Sequence, residues 1–272
     1  MIEVTRNNCS DIILPMAKVV VFANQKGGVG KTTTTVNIGA YMAEAGKSVL
    51  LVDFDPQGNL SSSLGIKETS KSIYEVLLGE ISVKEAIQKT PQENLEILPS
   101  NLNLSGATVE LSKMDKKESL QYLKNALQPL QDFYDYILID CPPSLGVLTI
   151  NGFVAADTVL IPLQCEYFAL EGLKYMYSMT IKRIQKSVNP ALKIGGIIFT
   201  MYDSRTNLGK EVIKSVQESF KQHPEMVFQT VIPRNIRLSE APSHGVPINL
   251  YDRSCIGAKC YEKLTDEVLK RV

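Results

Sequence analysis

Val19-Val20-Val21-Phe22-Ala23-Asn24-Gln25-Lys26-Gly27-Gly28-Val29-Gly30-Lys31-Thr32-Thr33 is the stretch that decides the fold. Its five leading apolar residues suit a strand covered on both faces. After the glycines a helical pattern runs from about Thr32 to Ala45 and stops at Gly46, a natural helix-ending glycine. Strand, Gly-rich turn and helix in succession are the context in which a phosphate loop works. Backbone N–H groups freed by glycines converge on phosphates, and the helix N-terminus adds its positive dipole end. On this reading Lys31 neutralises the β- and γ-phosphates of ATP, and the Thr32 hydroxyl ligates Mg²⁺. The competing reading is a glycine turn that holds nothing. Two lysines, three glycines and a threonine run at these spacings weigh against it.

Outward from this unit, short apolar runs alternate with helical patterns. The runs are 49–52, 95–98, 136–139, 158–161 and 194–199; the helices are expected at about 116–130, 168–188, 207–221 and 256–271. Alternation of this kind predicts an α/β fold, a doubly wound and mostly parallel β-sheet flanked by helices. No low-complexity linker or internal repeat divides the chain. The expectation is one ATPase domain over 18–272, preceded by a flexible N-terminal extension over 1–17 with no periodicity. Met16 is a candidate natural start.

Composition narrows the classes. The chain has 272 residues, 44% of them hydrophobic, enough for one large core. Lys plus Arg and Asp plus Glu are 29 each, so any nucleic acid or membrane must be met by a local patch. Five scattered cysteines form no CxxC pair and no metal spacing, which suits reduced thiols in a cytoplasmic protein. The run Ile12-Ile13-Leu14, broken by Pro15, is no secretory signal, and no stretch has the length of a membrane span.

Two strand ends carry acids. Asp53 and Asp55 follow Val49–Val52, at the carboxyl edge beside the phosphate loop. Asp140 ends Ile137-Leu138-Ile139 in the manner of a Walker B carboxylate. Any one strand-terminal Asp could be a turn former. Three of them downstream of a complete phosphate loop favour a metal and water site.

The loop departs from G-x-x-x-x-G-K-[ST] at its first glycine, which is Gln25, and gains a second lysine, Lys26. Lys26 with Lys31 resembles the signature-lysine phosphate loop of the deviant P-loop ATPases, which include ParA, MinD, the arsenical pump ATPase and the nitrogenase iron protein. The strings Asp53–Asn59, Asp140–Leu145, Pro162–Glu166, Asp203–Leu208 and Pro233–Ser243 are similar to the chromosomal ParA family known as Soj. The resemblance runs from Lys18 to the C-terminal helix.

It implies a slow ATPase that switches between monomer and ATP-dependent homodimer. The dimer would bind double-stranded DNA without sequence preference on the nucleoid, and a ParB-type partner would stimulate hydrolysis. By the same resemblance Lys26 reaches the partner subunit's phosphates, like an arginine finger supplied in trans. Nucleotide would be held by Lys26, Gly27, Gly28, Val29, Gly30, Lys31, Thr32 and Thr33, with Pro233 and Asn235 at the adenine. Asp55 would position the attacking water, Asp140 would hold Mg²⁺ through water, and Asp53 would support that network. Arg205, Arg234 and Arg237 match, or adjoin, arginines that bind DNA. Residues 171–240 hold seven Lys and four Arg against six acids, a local excess that suits a phosphate-facing surface, although a solvated helix face would look the same.

Three other readings compete with this one. A MinD-like membrane-positioning ATPase needs a detachable amphipathic helix, and Tyr261, Leu264, Val268 and Leu269 have the spacing for one. That helix is also the last one available to cover the sheet, so no membrane is expected. An electron-transfer ATPase needs cysteine pairs that the chain lacks. A nucleotide-gated scaffold without turnover would leave Asp55 and Lys26 unexplained.

Overall fold

Apolar runs without alternation pair where both faces of a sheet are covered, and here they form its centre. The structure, a computed structural model, describes residues 16–67, 69–113 and 115–272. The N-terminal extension lies outside them up to residue 15. The strands are β1 (Lys18–Phe22), β2 (Val49–Asp53), β3 (Gln88–Lys89), β4 (Leu95–Leu98), β5 (Tyr136–Asp140), β6 (Thr158–Gln164) and β7 (Lys193–Thr200). They lie in the order β3-β4-β2-β5-β1-β6-β7. Every pairing is parallel except β3 with β4, a two-residue antiparallel edge too short to have a sequence signature.

The helices divide between the faces. One face carries α1 (Lys31–Glu44) and, at the chain's end, the helix Ile256–Leu269; their Ile38, Met42, Leu264 and Val268 pack on Val20, Leu51 and Leu138. The other face takes α3 (Leu104–Lys113), α4 (Val147–Ala155), α5 (169–187) and α6 (Asn207–Ser219), while Leu60 of the short α2 (Asn59–Ser63), after β2, packs with the first face. The α5 segment runs Ala169–Tyr175, widens into a π-helical stretch at Met176–Ile181, and resumes as Lys182–Ser187. The C-terminal helix, α7, buries Tyr261, Leu264 and Val268, so the apolar face that could have met a membrane is committed to the core. Among the described residues no helix is long and apolar enough to cross a membrane.

One expected helix is broken. The pattern over 116–130 resolves into Lys116–Ser119, Tyr122–Leu127 and a 3₁₀ turn at Gln128–Leu130. Buried Asn151 of α4 holds the first break: its Nδ2 donates to Ser119 O at 2.8 Å, and its Oδ1 accepts from Leu123 N at 3.2 Å. A side chain from a distant helix replaces the bonds a continuous helix would make, and Pro129 tightens the end.

Candidate active site

Parallel strands send their C-terminal ends to one edge, and ligands bind there beside the strand where the order reverses. That strand is β1, flanked by β5 and β6. The loop leaving it needs left-handed backbone at Gly28 (φ 72°) and Gly30 (φ 81°), conformations that favour glycine and turn successive N–H groups inward. Thr200 Oγ1 on β7 donates to Val29 O at 2.8 Å and ties the loop down. Asn24, which the sequence reading passed over, anchors its start: Nδ2 donates to Pro162 O at 2.7 Å and Oδ1 accepts from Lys26 N at 3.0 Å.

Two adjoining cavities open along this edge. One, of about 320 Å³, is lined by Gly27, Gly28, Gly30, Lys31, Thr32, Thr33 and Asp55, with Asn59, Ser63, Pro143 and Met201. The other, of about 510 Å³, shares Gly30, Thr33 and Met201 and continues to Pro233, Asn235, Leu238 and Tyr261. Met201 sits where they meet, at φ 52°, a left-handed backbone uncommon outside glycine. A chain segment pairing with the end of β7 places the second set, since Tyr202 N donates to Ile232 O and Arg234 N to Tyr202 O. Asn235 caps the short helix Ile236–Glu240 through Arg237 N, and Tyr261 bonds Thr34 at 3.0 Å. Tyr261, whose spacing suggests part of an amphipathic face, is a wall of this cavity.

The carboxylates differ in their surroundings. Thr32 Oγ1 donates to Asp140 Oδ2 at 2.6 Å, while Asp140 Oδ1 is buried with no hydrogen-bond partner. An orphaned carboxylate oxygen beside a hydroxyl fits a hard divalent cation such as Mg²⁺. Among the described residues no group of three or more His, Cys, Asp or Glu could hold a metal ion. Asp53 is wholly buried and its oxygens accept from Ser61 N (2.8 Å), Ser61 Oγ (2.7 Å) and Asp55 N (3.3 Å). It therefore braces the loop that carries Asp55. Asp55 lines the smaller cavity, with the glycine loop, and closes a turn by accepting from Gln57 N at 3.0 Å.

Burial presses this site toward neutrality. Desolvation lowers the Lys31 pKa, against the opposing pull of Asp140, Cys141 and Asp55. It also raises Asp140 from 3.8 to about 8 and Asp53 to about 6, although the Thr32 and Ser61 bonds act the other way. Because the folded pKa exceeds the unfolded one, the folded state holds extra protons between pH 4 and 8. Stability of the ligand-free chain should thus fall as pH rises through that window and level off above about pH 8. Asp140→Asn is expected to flatten the decline between pH 6 and 8 in thermal melts, and to lose the extra stabilisation that Mg²⁺ and nucleotide give the native chain. An unchanged pH slope would place the buried proton elsewhere.

The remaining candidates are more exposed. Lys26 lies outside its own phosphate cavity, its Nζ in an ion pair with Glu166. Arg205 is 85% exposed and forms a bidentate pair with Asp203 at 2.9 and 2.6 Å, which with backbone bonds holds that acid well below its ordinary range. Arg234 is exposed in the same neighbourhood. Arg237 has partners of its own, Glu240 at 2.9 Å and Asp252 at 3.5 Å.

Two adjoining cavities and a buried carboxylate beside a glycine loop thus meet at one sheet edge, in the fold of a P-loop ATPase. Residues 17–194 match the AAA domain family. The chain is 56% identical over 256 residues to the chromosome-partitioning ATPase Soj of Treponema pallidum, covering 94% of this chain and 98% of that one. It is 51% identical to the sporulation initiation inhibitor protein Soj of Bacillus subtilis, over 93% and 98%. A crystal structure described as cobyrinic acid a,c-diamide synthase from Mycobacterium smegmatis, with ATP analog and magnesium bound, superposes at a TM-score of 0.80 with 40% identity, over 93% of this chain and 94% of that one. The chain belongs to the Soj/ParA family of chromosome-partitioning ATPases.

Proposed function

We propose that this chain is a cytoplasmic ATP-driven switch on the nucleoid. ATP with Mg²⁺ joins two copies face to face, the dimer binds double-stranded DNA without sequence preference, and slow hydrolysis, stimulated by a ParB-type partner, releases it. The position of Lys26 carries this reading: it belongs to the phosphate loop yet does not line that loop's own cavity, and its half-exposed side chain is accessible to a second copy.

Each residue then has a task. Amides of Gly27 to Thr33 cradle the phosphates, and Lys31 supplies the resident positive charge. Pro233 and Asn235 border the adenine. Thr32 and Asp140 hold Mg²⁺, with Asp53 fixing the neighbouring loop. When bound, that ion draws negative charge from the phosphate oxygens. Asp55 orients the attacking water, and Lys26 of one copy meets the charge that develops on the other copy's γ-phosphoryl oxygens.

DNA binding follows from doubling weak contacts. Arg205 and Arg234 share one exposed neighbourhood, where phosphate oxygens can exchange for Asp203. Two phosphate contacts per subunit give a dimer a salt slope near −3.6, against about −1.8 for a monomer. Arg205→Ala or Arg234→Ala should bring the slope of log K against log salt to about −1.8 while ATP-driven dimerisation is kept. A variant that no longer dimerises would make those arginines interfacial. Arg237→Ala should have the smaller effect, since two acids, Glu240 and Asp252, face that one arginine, whereas Arg205 and Arg234 share Asp203 alone.

A further inference from the structure

In a single chain Lys26 is already occupied. Its Nζ pairs with Glu166 Oε2, and both side chains are 46% exposed. The acid is itself held: Oε1 accepts from Gln164 Nε2 at 2.6 Å, and Glu166 N donates to Gln164 O at 2.8 Å. Gln164 is the last residue of β6, the strand whose Pro162 anchors the start of the phosphate loop through Asn24. Both ends of the Lys26–Glu166 pair are thus tied to the same strand end. The ammonium is held by a residue just past the end of β6, and Lys26 is not among the residues that line the cavity of Gly27 and Lys31.

We propose that Glu166 is a positioning residue, the counter-ion that holds Lys26 within its own subunit and so sets the ATP concentration at which two copies close. This rests on the reading that Lys26 acts across the dimer. For Lys26 to reach a second copy's triphosphate, its bond to Glu166 must break. The released carboxylate then stands near an incoming polyanion. Both effects raise the threshold for closure, and both vanish when Glu166 is replaced by its neutral isostere.

An exposed ion pair is a modest barrier, but a symmetric dimer breaks two of them. Glu166→Gln should therefore lower the ATP midpoint of dimer formation by about threefold to tenfold. The shift should shrink at high salt, because the pair is accessible to counter-ions.

The test is the ATP midpoint of dimer formation, followed by light scattering on full-length Asp55→Ala protein, which does not consume the ligand. Glu166→Gln and Lys26→Ala are each added to that background, at 0.05 and 0.5 M salt as about the two limits of screening. The expected result is a lower midpoint for Glu166→Gln at low salt that converges on the parent at high salt, with no dimer for Lys26→Ala. Damage to the fold cannot imitate earlier closure. If Glu166→Gln closes at the same or a higher ATP concentration while Lys26→Ala still fails to dimerise, the counter-ion role is wrong and the trans role of Lys26 stands. Normal dimerisation of Lys26→Ala would remove both.

Discussion

Lys31→Ala is expected to weaken ATP binding by on the order of a hundredfold to a thousandfold, the cost of removing one partner of a desolvated charge pair. Lys31 is 7% exposed at the first turn of α1, and burial already lowers its pKa in the ligand-free chain. Its ammonium is thus an unfavourable charge until a polyanion arrives. Two consequences follow in opposite directions. Affinity for nucleotide collapses, while the stability of the ligand-free chain changes little, because the buried cation that Asp140 partly balances was itself costly. Isothermal titration with ATP and Mg²⁺, paired with thermal melts without ligand, reads both. Native affinity in the variant would remove the phosphates from this loop. A strong loss of ligand-free stability would make Lys31 a structural cation.

Asp55→Ala should bind ATP normally, lose at least about a hundredfold in turnover, as expected when a group that orients or deprotonates water is removed, and accumulate as dimer. Asp55 has two tasks that substitution can separate. It faces the phosphate cavity, and it accepts Gln57 N at 3.0 Å to close its own turn. Asp55→Asn keeps an acceptor for that turn and removes only the charge. Both variants should be equally inactive if the carboxylate acts on water. Should Asn restore most of the activity that Ala loses, loop shape is the contribution, and the water belongs to another group. Phosphate release and light scattering on the two variants decide it.

The sheet was largely legible in the chain. Its central strands were found within a few residues, because strands buried on both faces leave continuous apolar runs, and α1 because glycines mark both its ends. The edge strand β3, with two half-exposed or exposed residues, left no such trace. The break near Leu120 depends on Asn151, about thirty positions downstream, and no local pattern could announce it.

The sequence by itself determined the chemistry: a phosphate loop with two lysines, acids at strand ends, and a family of ATPases to which those strings belong. Such features are local, since turn geometry and strand ends depend on neighbouring residues. The tertiary structure alone decided what each of these side chains touches. It gave Asp53 to Ser61, left one oxygen of Asp140 unbonded, placed Tyr261 in the wall of a cavity and tied Lys26 to Glu166 across 140 positions of chain. Those assignments arise from burial and from contacts between distant segments. Both exist only once the sheet has brought the strand ends together.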